Sequence, residues 1–334
     1  MKKGKAVTLD VFPAPPRDAT ISTMCDWVEL ATLLSMPAPV AVMELGQALD
    51  LDVDRDPADS EEIDQYQENL YLGIGVEIER RIEALGPAYP FSTNQGQLAT
   101  SAALTEGQTA YVISLILSHC AKGGLLPKKF RPSDKQLREA RELFQICSTI
   151  AAAGHTGGPS FSVGWSPKKG ASNFHAKLRY AWPHFGDGEV VAKVQAGVPK
   201  MAKDEGIDVL AFWLEKDRGP SQGYLVGQVA SGANWKDKSA RGPAEILVKY
   251  WLHPQPATQG RTATFVPFDV SENEMRRQTV THGYLLSRLR LPAKVVTALQ
   301  LSDEGLKPIE RIEHLSLVKE WIAVVLSQMR AATA

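Results

Sequence analysis

The stretch from Lys203 to Lys238 gathers groups able to do chemistry inside sequence that otherwise reads as apolar strand. Asp204, Glu205 and Asp208 surround Gly206, Gln228 follows at the far side of a polar loop, and Lys236 and Lys238 come soon after. Carboxylate and amide oxygens are the hard donors that Mg²⁺ or Mn²⁺ accepts alongside water and phosphate, and an ammonium group nearby stabilises developing negative charge. The reaction these residue types suit is hydrolysis of a phosphodiester.

Such chemistry requires that the groups be brought together. Ile207 to Trp213 is a β-branched and aromatic run, Glu215 to Gln222 a polar loop containing Gly-Pro, and Tyr224 to Val229 a second apolar run, which predicts strand, hairpin loop and strand. Asp208 begins the first strand and Gln228 lies near the end of the second. Antiparallel pairing therefore carries both to one end of the sheet, and alternation allows a register in which they share a face. The competing reading is turn chemistry: Asp204-Glu205-Gly206 forms a turn, Asp208 caps local N–H groups, and Gln228 pairs with backbone. In that reading Trp235 is held in a core and Lys236 and Lys238 are merely solvated.

Glu205-Gly206-Ile207-Asp208 followed by Gln228-Val229-Ala230 resembles the PD-(D/E)XK restriction-endonuclease-like superfamily, and most of all its Mrr-like branch, where Gln often replaces the second acid. The resemblance covers roughly the second half of the chain. It implies Asp208 as the first ligand of Mg²⁺ or Mn²⁺, Gln228 as the second, Glu205 or Asp204 as helper, and a lysine two positions after Gln228. Ala230 stands at that position, so Lys236 or Lys238 would have to supply the ammonium group. Gln145 falls where the family often places a helical Glu. The implied fold is an α/β mixed-sheet sandwich of restriction-endonuclease-like type, here preceded by a helical module. The implied function is a metal-dependent nuclease acting on DNA within a bacterial restriction or anti-phage defence system. The alternative is a catalytically degenerate nuclease fold serving as a binding or scaffold subunit, with a protein partner or a second copy of the chain.

Net charge is −1, from 37 basic and 38 acidic residues, so no global field advertises nucleic acid and any phosphate-binding surface must be local. Lys168 and Lys169, at the end of the Gly/Pro/Ser-rich segment 154–170, and Trp235 are the candidate substrate contacts. Cys25, Cys120 and Cys147 are far apart and form no C-x-x-C pair, which fits reduced thiols in a cytoplasmic protein and gives no zinc site. Met1 to Arg17 lacks the apolar core of a signal peptide and reads as a tail or edge strand. No apolar run reaches transmembrane length, so no membrane partner is expected.

The supporting elements follow from periodicity. Helices are expected over Ser22–Ser35, Val40–Leu49, Glu61–Leu85, Thr105–Ala121 and from Ser133 to about Ala153, with Glu77, Glu79, Arg80 and Arg81 on a wet face. Ala88–Gln97 reads as loop. The glycine- and proline-punctuated, basic segment Lys122–Pro132 separates a helical module, 1–125, from a nuclease-like α/β domain, 133–334. Within the latter, Asn173–Phe185 reads as a short helix, Val190–Val198 as a strand, and Ala244–Trp251 as helix or strand. Thr262–Phe268 is expected as an edge strand because of Pro267, Glu272–Thr281 as helix, Tyr284–Leu291 as a strand with Arg288 and Arg290 on its outer face, and Ile309–Met329 as a long helix.

Overall fold

The computed structural model describes residues 13–49, 60–120, 123–164, 174–193, 206–217 and 221–332. Among them are ten α-helices and two sheets, a mixed α/β chain. The chain divides into two compact units, one of residues 1–140 and 318–334 and the other of residues 141–317. No helix of the described residues is long and apolar enough to cross a membrane.

In the first unit α1 (Ile21–Ser35) is capped by Thr20, whose hydroxyl accepts from the Thr23 amide at 3.2 Å. It is buried continuously from Met24 to Leu34, so it is a central helix rather than an amphipathic one. A side chain such as Leu33, fully buried, contributes about 1.5–3 kcal/mol. Around it lie β1 (Val40–Ala41), α2 (Met43–Ala48), α3 (Ser60–Leu85), β2 (Phe91–Asn94), β3 (Gln97–Thr100) and α4 (Glu106–His119), the last opened by a Thr105/Gln108 capping box. The segment expected as loop, Ala88–Gln97, instead enters an antiparallel sheet of order β1-β3-β2. Its turn residues Gln95 and Gly96 both take positive φ, 49° and 74°, the twist that joins two strands by a two-residue hairpin. The expected linker also carries buried anchors, Leu126 and Phe130.

Arg81, expected on a wet face, is wholly buried. Its Nη1 donates to Asp26 Oδ1 at 2.7 Å, Glu29 Oε1 at 2.8 Å and Tyr111 Oη at 3.3 Å; its Nε donates to Glu77 Oε1 at 2.8 Å, and its Nη2 to the Ser22 hydroxyl at 2.9 Å. Tyr89 and Tyr111 hydroxyls also donate to Glu29, at 2.8 Å each, and His119 Nε2 bonds Asp26 Oδ2 at 2.7 Å. Burial disfavours the guanidinium charge, but the surrounding thiol, carboxylate and phenol groups outweigh it and raise the Arg81 pKa. A charge so enclosed is retained only with this many partners.

The second unit holds the end of α5 (Asp134–Thr156), then β4 (Ser160–Ser162), α6 (Phe174–Ala181), β5 (Val209–Trp213), β6 (Gly223–Val229) and α7 (Arg241–Ile246), which a π turn prolongs to Trp251. There follow β7 (Arg261–Phe265), α8 (Glu272–His282), β8 (Tyr284–Leu286) and α9 (Leu291–Asp303); α10 (Leu315–Ala331) closes the chain and belongs from Val318 on to the first unit. The five-stranded sheet runs β4-β5-β6-β7-β8, with β4, β5 and β6 antiparallel and β7 and β8 parallel to β6. One face carries Phe161, Leu210, Phe212, Tyr224 and Val226 into an aromatic core with Trp182, Phe185 and Trp251.

Several expectations are corrected here. β4, inside the Gly/Pro-rich segment, pairs antiparallel with β5 on the side away from β6, and Val190, expected to begin a strand, makes only an isolated bridge to Leu252, while 194–200 lie outside the described residues. β7 is an interior strand, because Pro267 falls beyond its end and removes no ladder bond. β8 stops at Leu286 and Arg288 is buried rather than outward. The helix α9 was not expected, and Ile309 pairs with Ser160 instead of starting a helix.

Candidate functional site

The chain reaches β5 through Gly206, whose φ of 77° permits the tight approach, and Ile207, which anchors in the core. β5 and β6 pair with Val209 opposite Gly227 and Leu210 opposite Val226. The paired register ends there: the Asp208 amide donates to Gly227 O, so Asp208 lies beside Gly227 at the start of β5, and Gln228 is the next residue along β6. The two polar residues singled out from the sequence thus lie at the same end of the β5/β6 pair. On β7, Thr264 is the partner of Gln228.

Asp208 is tightly fixed. Its amide donates to Gly227 O at 2.9 Å, its carbonyl accepts from Val163 at 2.9 Å and Gly164 at 3.1 Å, and its Oδ2 accepts from the Val229 amide at 2.7 Å. A Cβ at Gly164 would collide with Asp208 Oδ1, so glycine is required where the backbone passes the carboxylate. Part of the turn-chemistry reading therefore holds, since one carboxylate oxygen serves a backbone N–H. Gln228 differs: its Oε1 is buried and has no hydrogen-bond partner among the described residues. A buried acceptor left unpaired is costly, and a cation is one ligand that would satisfy it. Asp208 and Gln228 carry oxygen donors of the type a hard divalent ion accepts. Among the described residues no group of three or more His, Cys, Asp or Glu side chains is disposed to hold a metal, and Glu205 and Asp204 lie outside the described residues.

The lysine position is closed. Ala230 is fully buried in a small cluster with Trp235, Val266 and Leu285, its amide donating to Phe265 O at 2.9 Å. Trp235, expected as a substrate contact, is only 6% exposed, with its ring stacked 6.4 Å from Phe268, so it is a core residue. Lys236 directs its Nζ to Glu274 Oε1 at 2.6 Å and lies 5.8 Å from the Trp235 ring. Lys238 closes the short helical turn after Trp235, its amide donating to Trp235 O, and forms no ion pair with a described residue. Lys168 and Lys169 lie outside the described residues. Gln145, in α5, has a buried amide nitrogen with no described partner.

Two residues of the neighbourhood went unnoticed in the sequence. Thr264 Oγ1 lies 2.9 Å from His282 Nδ1, and the His282 ring is 5.7 Å from that of Trp235. Burial pushes the His282 pKa below its ordinary value, against the backbone of Lys236 and Lys238 and with help from the Arg241 charge. Thr264 could have been found by carrying the Gln228 face across the sheet; His282, at the end of α8, had no such signal. Compared with known proteins, the chain matches no family model, no curated protein and no solved structure.

Proposed function

We propose that the chain is a metal-dependent nuclease of the PD-(D/E)XK restriction-endonuclease-like type, hydrolysing phosphodiester bonds of DNA in a bacterial restriction or anti-phage defence system. The observation that carries this reading is the Gln228 carbonyl oxygen, buried without a described partner on the strand that faces Asp208. Asp208 and Gln228 would hold Mg²⁺ or Mn²⁺, with Glu205 as helper. When bound, the ion would lower the pKa of water and neutralise charge on the phosphate. The protein's own part is to fix Asp208, the Val229 amide bonding its carboxylate and the Val163 and Gly164 amides its carbonyl. Of the two lysines, Lys238 is the better source of an ammonium group, because Glu274 already engages Lys236. A nicking assay on plasmid and single-stranded DNA tests this, with Mg²⁺ or Mn²⁺ and with the Asp208→Ala protein beside the native one. Cation-dependent cleavage lost in Asp208→Ala supports it, and equal nicking by both proteins ends it.

A second reading is favoured by Ala230, since the position that resemblance assigns to the catalytic lysine is packed shut by Trp235, Val266 and Leu285. In it the same fold is a degenerate binding or scaffold subunit, working with a protein partner or a second copy. Co-purification of a partner, together with no heat on titration with Mn²⁺, would select it.

A further inference from the structure

In the second unit a cleft of about 1000 Å³ opens beside α7 and its π turn, bounded by the 255–260 segment and the starts of β7 and β8. Four cationic side chains, Arg241, Lys249, Arg261 and Arg290, line it against a single carboxylate, Glu245. All four are exposed, and none is held in an ion pair with a described carboxylate. Lys249 rests 5.1 Å from the Tyr250 ring, and Arg290 donates to Leu285 O at 3.3 Å. The whole chain carries a net charge of −1, so this excess of three positive charges is a local feature. Unpaired cations converging on one cleft repel each other, a cost that an anionic ligand removes.

The cleft is not the Asp208 and Gln228 site. Arg261 pairs with Leu225, three residues before Gln228 on β6 and so about 10 Å away along the strand. Broad, polar and lined by several separated cations, it suits an extended ligand with repeated charges better than one compact ring, which favours an enclosed apolar pocket. We infer that this cleft binds the phosphodiester backbone of a nucleic-acid strand, held by Arg241, Lys249, Arg261 and Arg290. The choice of a nucleic acid over another polyanion rests on the function proposed above, whereas the charge arrangement does not.

The test is fluorescence anisotropy of a labelled single strand of about 12 nucleotides. It is run in EDTA, so that the cation site takes no part, between about 50 and 200 mM salt. Four phosphate contacts predict a log–log salt slope of about −2.8, and the Arg241→Gln/Arg261→Gln protein should lose about half of that slope and bind at least about tenfold more weakly. Arg276→Gln, which removes an exposed arginine of α8 outside the cleft, should bind as the native protein does. No strand binding, equal binding by the double variant, or binding of ATP but not of the strand would overturn the inference. Binding without cation-dependent cleavage would leave the cleft standing and remove the nuclease; cleavage with no effect of the double variant would do the reverse.

Discussion

Gln228→Met exposes the reasoning about the site through stability rather than activity. Methionine matches the length of glutamine and removes the buried carbonyl oxygen that has no described partner. An unsatisfied buried polar group costs about 1–3 kcal/mol, so the replacement should stabilise the cation-free protein by that order. For a unit of this size each kcal/mol moves the thermal midpoint by about 2–4 °C. In EDTA the midpoint of Gln228→Met should therefore lie above that of the native protein by at least about 2 °C. With Mn²⁺ at a hundredfold excess over its Kd the native protein should gain about 2.7 kcal/mol by mass action, and the variant less, so the order narrows or inverts. Differential scanning calorimetry with and without Mn²⁺ measures both effects. A drop in midpoint for Gln228→Met in EDTA would refute the reasoning, because the amide would then be making a favourable bond rather than awaiting a ligand.

Two further outcomes follow from the buried groups. Arg81→Met strands Asp26 and Glu29 without their counter-charge and should cost about 3–5 kcal/mol by urea unfolding, most of it recovered when Asp26→Asn and Glu29→Gln are added; a loss under about 1 kcal/mol would contradict the network. His155 and His282 have folded pKa values pushed below the ordinary 6.5 by burial, so the unfolded chain takes up protons first as pH falls. Their contribution is fully present above about pH 6.5 and is lost below it, and the thermal midpoint should decline from pH 7 towards 5 with a shallower slope in His282→Gln. An unchanged slope in that variant would remove His282 from the explanation.

The parts of the fold legible in the sequence are those set by local pattern. α1, α3, α4 and α5 carry apolar residues at helical spacing with Thr, Ser or Gly at their ends, and β5 and β6 are β-branched runs either side of a Gly-Pro loop. That Asp208 and Gln228 lie at the same end of the β5/β6 pair was legible because two apolar runs joined by a short polar loop pair antiparallel. What escaped depends on distant partners. β4 is three residues long in a Gly/Pro-rich stretch and exists through its ladder to β5. Arg81 looked solvated beside Glu77, Glu79 and Arg80, yet its partners Asp26 and Glu29 lie on another helix more than fifty residues away. Trp235 and Arg288 went inside for the same reason, since nothing next to them in sequence announces the cavity that receives them.

The most direct measurement is calorimetric titration of Mn²⁺ into the native protein and into Asp208→Asn. The account predicts heat of binding to one site in the native protein and its loss in the variant, whose neutral amide cannot balance the ion's charge. No heat from the native protein, or an isotherm unchanged by Asp208→Asn, would contradict it.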